Sequence, residues 1–236
     1  LFLASFFNTV LDNWAISFQR GFISGRQMLL NSIEVESYAV KFAWNSVDKS
    51  LLIFLDFAAA FPSIARLFLW KALCAIGVPQ RIIKAIMALY TNNIHFIRTN
   101  SGLLFVFVVY SGVRQGCPLS SVVFVLTTDC INMYLNKRLG DRDKLWSYAD
   151  DIAALLYNYK YSLDQLCNAL NVIGSVSALN INCSKCVCTP LWPGSWEEIQ
   201  SSVCSEFPGV SNFSFAWSAK YLGFYIGPGA NGLEWT

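Results

Sequence analysis

Histidine is nearly absent from this chain, with His95 the single one in 236 residues. That excludes a site assembled from several imidazoles. Charge is scarce as well: Asp, Glu, Lys and Arg make up 14% of the sequence, and the formal net charge is +2. Nucleic-acid binders are often far more basic, so this balance neither demands nor excludes such a partner. Long apolar runs are missing, although 55% of the residues are apolar and the mean hydropathy is +0.43. The strongest run, Leu103 to Tyr110, falls well short of the roughly 20 residues a membrane helix needs. The longer stretch Leu51 to Leu69 is broken by Asp56, Pro62 and Arg66. An integral membrane protein would rest on hydropathy alone; we expect no membrane, and apolar surface that meets other parts of a larger protein. Leu1-Phe2-Leu3 has no charged n-region and no clear cleavage site, so no secretory leader is visible. Repeats and low-complexity linkers are also lacking.

Cysteine is present but not in a disulfide pattern, since 8 are spread along a chain of this length. Cys183, Cys186 and Cys188 are closely spaced, yet no Cys/His pair at ligand spacing completes them. They read as free buried thiols, suited to a reducing compartment and an intracellular location, cytoplasm or nucleus. The chain opens on Leu1 and stops within Gly229–Thr236, and we expect a fragment of a longer protein.

Periodicity supplies the elements. Leu51 to Leu55 is a continuous apolar strand ending at Asp56. Arg66 to Ile76 has helical spacing and stops at Gly77; Pro79 opens a second helix with Ile82, Ile83, Ile86, Met87 and Tyr90 on one face. His95 to Arg98 and Leu104 to Val109 read as strands paired around Asn100-Ser101-Gly102. Pro118 begins a helix whose buried stripe is Leu119, Val122, Val123, Leu126, Cys130, Met133 and Tyr134. Leu163 to Leu179 is a further amphipathic helix, and Cys186 to Leu191 and Lys220 to Ile226 read as strands. Strands with helices on one face, not strictly alternating, predict an α+β layer structure.

The chemistry lies in three segments. Asp150-Asp151 stands between the short apolar runs Lys144 to Ala149 and Ile152 to Tyr157, which reads as a β-hairpin with acids at its turn. Adjacent carboxylates face solvent or a cation, because burying like charges is costly. Asp56 ends an apolar strand and enters Phe57-Ala58-Ala59-Ala60-Phe61-Pro62, where an acid can equally be a helix cap or turn former. Between them, Ser111-Gly112-Val113-Arg114-Gln115-Gly116-Cys117-Pro118 is a polar loop entering a helix through proline. Such an entry can bind an anion through free N–H groups, or be an ordinary loop with proline at the first helical position.

Taken together these segments resemble the reverse transcriptases, and within them the non-LTR (LINE-type) retrotransposon branch. Leu52 to Ile64 resembles motif A, Ser111 to Phe124 motif B, and Tyr148-Ala149-Asp150-Asp151 motif C. Gln19-Arg20-Gly21-Phe22-Ile23-Ser24-Gly25-Arg26 is similar to the segment preceding motif A. Leu179 to Lys185 resembles motif D, and Tyr221-Leu222-Gly223 motif E.

The resemblance implies a right-hand polymerase palm, an antiparallel sheet backed by helices. Partial fingers would span 1–50, the palm 51–192 with an insertion at 66–110, and the end of the palm 193–236. The triphosphate-binding arginine of the fingers would precede Leu1 and the thumb would follow Thr236. The implied function is RNA-directed DNA synthesis, with RNA template, DNA primer and deoxynucleoside triphosphates as partners. Two Mg²⁺ ions, or Mn²⁺, would be held by Asp56, Asp150 and Asp151 with the carbonyl of Phe57. Phe61 would be the aromatic sugar gate. Arg114, Gln115 and Gly116 would meet the incoming nucleotide, with Gly116 allowing close backbone approach. Lys185 would protonate the leaving pyrophosphate. The family usually has Ala-Phe-Asp where this chain has Ala60-Phe61-Pro62, and proline could alter the turn beside the gate. We expect weak or no extension by the isolated chain. The alternative is a decayed or repurposed palm that binds only RNA or a protein.

Overall fold

Strand β1, Leu51–Leu55, sets the architecture because all five of its side chains are buried. Successive strand residues point to opposite faces. Leu51, Ile53 and Leu55 therefore enter one core cluster, and Leu52 and Phe54 another. An apolar run without alternation marks a strand covered on both sides. The computed structural model describes residues 7, 11, 14–43 and 47–230, so Leu1-Phe2-Leu3 and 231–236 lie outside the described residues.

In chain order, α1 (Met28–Phe42) precedes β1. A short turn α2 (Ala60–Ser63), then α3 (Arg66–Ala75) and α4 (Gln80–Tyr90), lead to the ribbon β2 (Ile94–Thr99) and β3 (Gly102–Val108). Next come α5 (Pro118–Arg138), β4 (Lys144–Tyr148), β5 (Asp151–Leu156) and α6 (Tyr159–Ser177). The chain continues through β6 (Val187–Pro190), α7 (Trp196–Glu206), β7 (Ser214–Phe215), β8 (Ala219–Tyr221) and β9 (Phe224–Ile226). The main sheet has the order β4-β5-β1-β6-β7, antiparallel except for the β6–β7 pair.

Helices α3, α5 and α6 pack on one face of the sheet. The other face, expected to be free of helices, is covered by α1 and by the β8–β9 hairpin. Val35 and Ala39 of α1 close over Trp146, Leu155 and Leu52. Lys220 to Ile226, expected as one strand, is therefore a hairpin turning at Leu222 and Gly223, both with positive φ (48° and 95°).

Helix α5 departs from the single stripe expected of it. Leu119, Val122, Val123 and Leu126 are buried, but so are Phe124, Val125, Thr127, Thr128 and Asp129; Met133 is 46% exposed. The helix runs between the sheet and its neighbours, so nearly its whole circumference is covered. Its threonines turn their hydroxyls back onto carbonyls of Val123 and Phe124 (2.6 and 3.0 Å) and so stay satisfied. By length and composition this helix could cross a membrane, yet 72% of its apolar window is buried inside the molecule.

Candidate active site

The hairpin β4–β5 pairs Tyr148 with Asp151, which leaves Ala149 and Asp150 as a two-residue loop. Strand β5 is also paired with β1, and the last pair is Leu55 with Ile152. One step further along that register sets Asp56 beside Asp151. The three acids thus adjoin at one end of the inner strands β1 and β5, with no ion pair to a described residue. Partial desolvation raises Asp151 from 3.8 to about 6, and the neighbouring Asp150 and Asp56 add to the effect. Asp150 is raised as well, first by burial and then by Asp56, against a lowering backbone hydrogen bond. Mutual repulsion without a counter-ion is the electrostatic signature of a site completed by a cation.

Among the described residues no three ligating side chains come close enough to enclose a metal ion. The donors fit a hard cation that keeps waters and substrate oxygens, for which one or two carboxylates suffice, and not a cage made wholly of protein.

The backbone behind Asp56 is clamped to the segment 180–182. Ala58 N–H donates to Asn180 O (2.8 Å), Asn182 N–H donates to Asp56 O (2.8 Å), and Phe57 bridges Ile181. The Asp56 N–H points at Cys186 Sγ (3.4 Å). Burial pushes the Cys186 thiol up to about 12, so it stays neutral beneath the acid. Cys186 gave no sign of this placement in the sequence beyond its apolar neighbours. Lys185, one residue away, is exposed.

The loop 111–117 is fastened to the turn after Asp56. Gly112 N–H donates to Ile64 O and Val113 N–H to Phe61 O, both at 2.8 Å. Ser111 Oγ donates to Pro62 O (3.0 Å), so the proline turn serves as a docking edge. A Cβ on Gly112 would stand 2.4 Å from Pro62 O. That close approach requires glycine at Gly112, while Gly116 has φ +80°, which also favours glycine, and open space around it. Arg66 holds the same loop, its guanidinium donating to the carbonyls of Gly112, Ser111 and Tyr90 (3.2, 3.3 and 3.0 Å). Arg114 and Gln115 follow the pinned pair and are exposed.

Phe61 lies stacked on the buried Phe124 with ring centroids 4.3 Å apart. Phe22 stands edge-on to Phe61 (6.2 Å) and 6.3 Å from Tyr148, so it links Phe61 to the acidic hairpin. Sequence reasoning assigned no role to Gln19, which is wholly buried and bonded to the acidic turn. Its place within Gln19-Arg20-Gly21-Phe22 was the available signal.

A family model described as Reverse transcriptase (RNA-dependent DNA polymerase) matches residues 4–226. The Transposon TX1 uncharacterized 149 kDa protein of Xenopus laevis is 25% identical over 183 residues, covering 73% of this chain and 13% of that protein. Apo telomerase from Candida tropicalis, truncated from its C-terminal domain, superposes with a TM-score of 0.65 at 13% identity, over 95% of this chain and 42% of that one. Telomerase from Candida albicans, solved with a fragment of telomeric RNA, superposes at 0.64 and 12% identity, over 95% and 36% of the two chains. These structural likenesses bear on the fold.

Proposed function

This chain belongs to the reverse transcriptase (RNA-dependent DNA polymerase) family, and on that footing we propose that its acidic cleft extends a primer 3′-hydroxyl with deoxynucleotides on an RNA template. The observation that carries the reading is the approach of Asp56 to Asp150 and Asp151 at one end of strands β1 and β5, where their repulsion has no counter-ion among the described residues. The likeness to a transposon protein supports a retroelement origin. The chain spans under half the length of the telomerase chains it matches, so the activity belongs to the longer polymerase.

Asp56 and Asp150 hold the divalent cations, with Asp151 and the carbonyl of Phe57 beside them. A pair of Mg²⁺ or Mn²⁺ ions bound there supplies charge neutralisation on the triphosphate and a more acidic 3′-hydroxyl. The primer oxygen forms a bond to the α-phosphorus as the bond to pyrophosphate breaks. Phe61, backed by Phe124, walls off the space a ribose 2′-hydroxyl needs. Gln115 and Gly116 meet the incoming nucleotide, Arg114 its phosphates or the template, and Lys185 gives a proton to the leaving pyrophosphate. In this reading 1–50 belong to the fingers, 51–192 to the palm with an insertion at 66–110, and 193–236 to its end. Eight free thiols suit a reducing intracellular compartment.

The test is primer extension on an RNA template with Mg²⁺, using the complete reading frame beside its Asp150→Asn variant. Loss of a metal ligand removes several kcal/mol of transition-state stabilisation, so extension should fall by about a hundredfold or more. Extension that survives the substitution would remove Asp150 from the site. A folded protein that binds RNA without extending a primer would favour the binding-only reading.

A further inference from the structure

Ala149 is the residue that aims Asp150, and its conformation is unfavourable. With φ 58° it is the first residue of a two-residue hairpin loop, a place glycine ordinarily takes. For alanine the left-handed region costs about 1–2 kcal/mol, so the surroundings must hold it there.

One buried side chain does so. Gln19 Oε1 accepts the N–H of Ala149 (2.9 Å) and of Gly21 (2.7 Å). Gln19 Nε2 donates to Ser147 Oγ (2.9 Å) and to Ala149 O (3.4 Å). The amide uses its full capacity of two donors and two acceptor sites, and it grips both backbone groups of the strained alanine. The reversed amide would face two N–H groups with its own NH₂, so this orientation is the one the network allows.

The rest of the segment is built for that contact. A Cβ on Gly21 would fall 2.2 Å from Ala149 N, so only glycine lets this loop lie against the turn. Ser147 N–H donates to Phe18 O (3.0 Å) and Arg20 N–H to Ser147 O (2.9 Å), which seats residues 18–20 along the outer edge of β4. Asn132 Nδ2 supports Ser147 Oγ from α5 (3.2 Å). From the other side Arg26 gathers the carbonyls of Ala15, Ile16 and Gln19 (3.1, 2.6 and 2.7 Å), which fixes the approach to Gln19.

We propose that Gln19 is a positioning residue: it holds Ala149 left-handed and so directs Asp150 and Asp151 into the cleft where they take a divalent cation. The last clause rests on the proposed function of that cleft. Gln19 touches no substrate and acts through the backbone of the turn.

Two measurements separate the splint from the cation reading. The first is amide hydrogen exchange in the unmutated 236-residue chain. The Ala149 N–H should be strongly protected and should lose that protection in Gln19→Met, which keeps the side-chain length and removes the amide. Exchange at the rate of an open turn in the unmutated chain overturns the proposal, and this arm needs no variant that folds. The second is Mn²⁺ binding followed by its electron paramagnetic resonance signal, with Asp150→Asn as control. Gln19→Met should weaken Mn²⁺ binding by about tenfold or more, as loss of outer-shell support commonly does. Adding Ala149→Gly should recover most of that loss, because glycine takes positive φ without strain. A folded Gln19→Met chain with unchanged Mn²⁺ affinity, or a loss that glycine does not rescue, would reduce Gln19 to packing. Equal Mn²⁺ binding by Asp150→Asn would instead sink the cation reading, and the exchange result alone would then decide the splint.

Discussion

The acids beside β1 and β5 differ in their neighbourhoods, and their titration differs with them. Asp151 is raised to about 6 from 3.8, so between about pH 4 and 6 the cation-free protein holds a proton there that the unfolded chain has already lost. A raised folded value contributes stability that is complete below about 4 and is lost as pH rises through about 6. We therefore expect the cation-free protein to melt at lower temperature as pH rises across that window, and Asp151→Asn to remove much of the trend. Melting curves in chelator from pH 4 to 7.5 check this, and an unchanged slope in the variant would place the proton elsewhere. Phe61 yields a second outcome at this scale. Its ring is fixed by stacking on Phe124, so truncation opens a defined space and not a floppy one. Phe61→Ala should narrow the preference for deoxynucleotides over ribonucleotides by about tenfold to a hundredfold. Incorporation kinetics with matched nucleotide pairs would show it.

Among the elements, the β2–β3 ribbon stands apart. Both strands are exposed along their length, with Leu103 at 69% and Phe105 at 55%. Pairing around Asn100-Ser101-Gly102 was legible because turn chemistry is local. The exposure was not, because an apolar strand pattern does not say what lies over it. A lone two-stranded ribbon is marginally stable. Its amides should accordingly exchange faster than those of β1 and β5. Replacing Leu103 and Phe105 together by lysine should change stability by no more than about 0.5 kcal/mol per site while reducing self-association. Denaturant melts and light scattering on the double variant settle both points; a large loss of stability would mean the ribbon is packed after all.

At the scale of the whole molecule, the sheet is sealed on both sides. Leu155 and Leu156 are consecutive, fully buried, and belong to different clusters, one under α1 and the β8–β9 hairpin, the other under α5 and α6. Each should cost about 2–5 kcal/mol on truncation to alanine. If denaturant unfolding showed Leu155→Ala to be nearly neutral, the α1 face would not be a true core. The same two-sided cover explains why β1 can be apolar at every position.

What the sequence determined by itself was local in origin. The strand ending at Asp56, the hairpin carrying Asp150 and Asp151, and the helix entered at Pro118 each follow from side-chain period and turn chemistry within a few residues. The order of the motifs along the chain was equally open to reading, and it placed the acids together through resemblance. Tertiary structure decided what those segments touch. Gln19 and Ala149 are 130 positions apart, and nothing in either neighbourhood states that they bond. The steric demand for glycine at 112 comes from the carbonyl of Pro62 arriving from another motif. The burial of α5 beyond a single stripe depends on how many elements surround it. Such contacts leave no period in the sequence, because their partners meet only once the chain has folded.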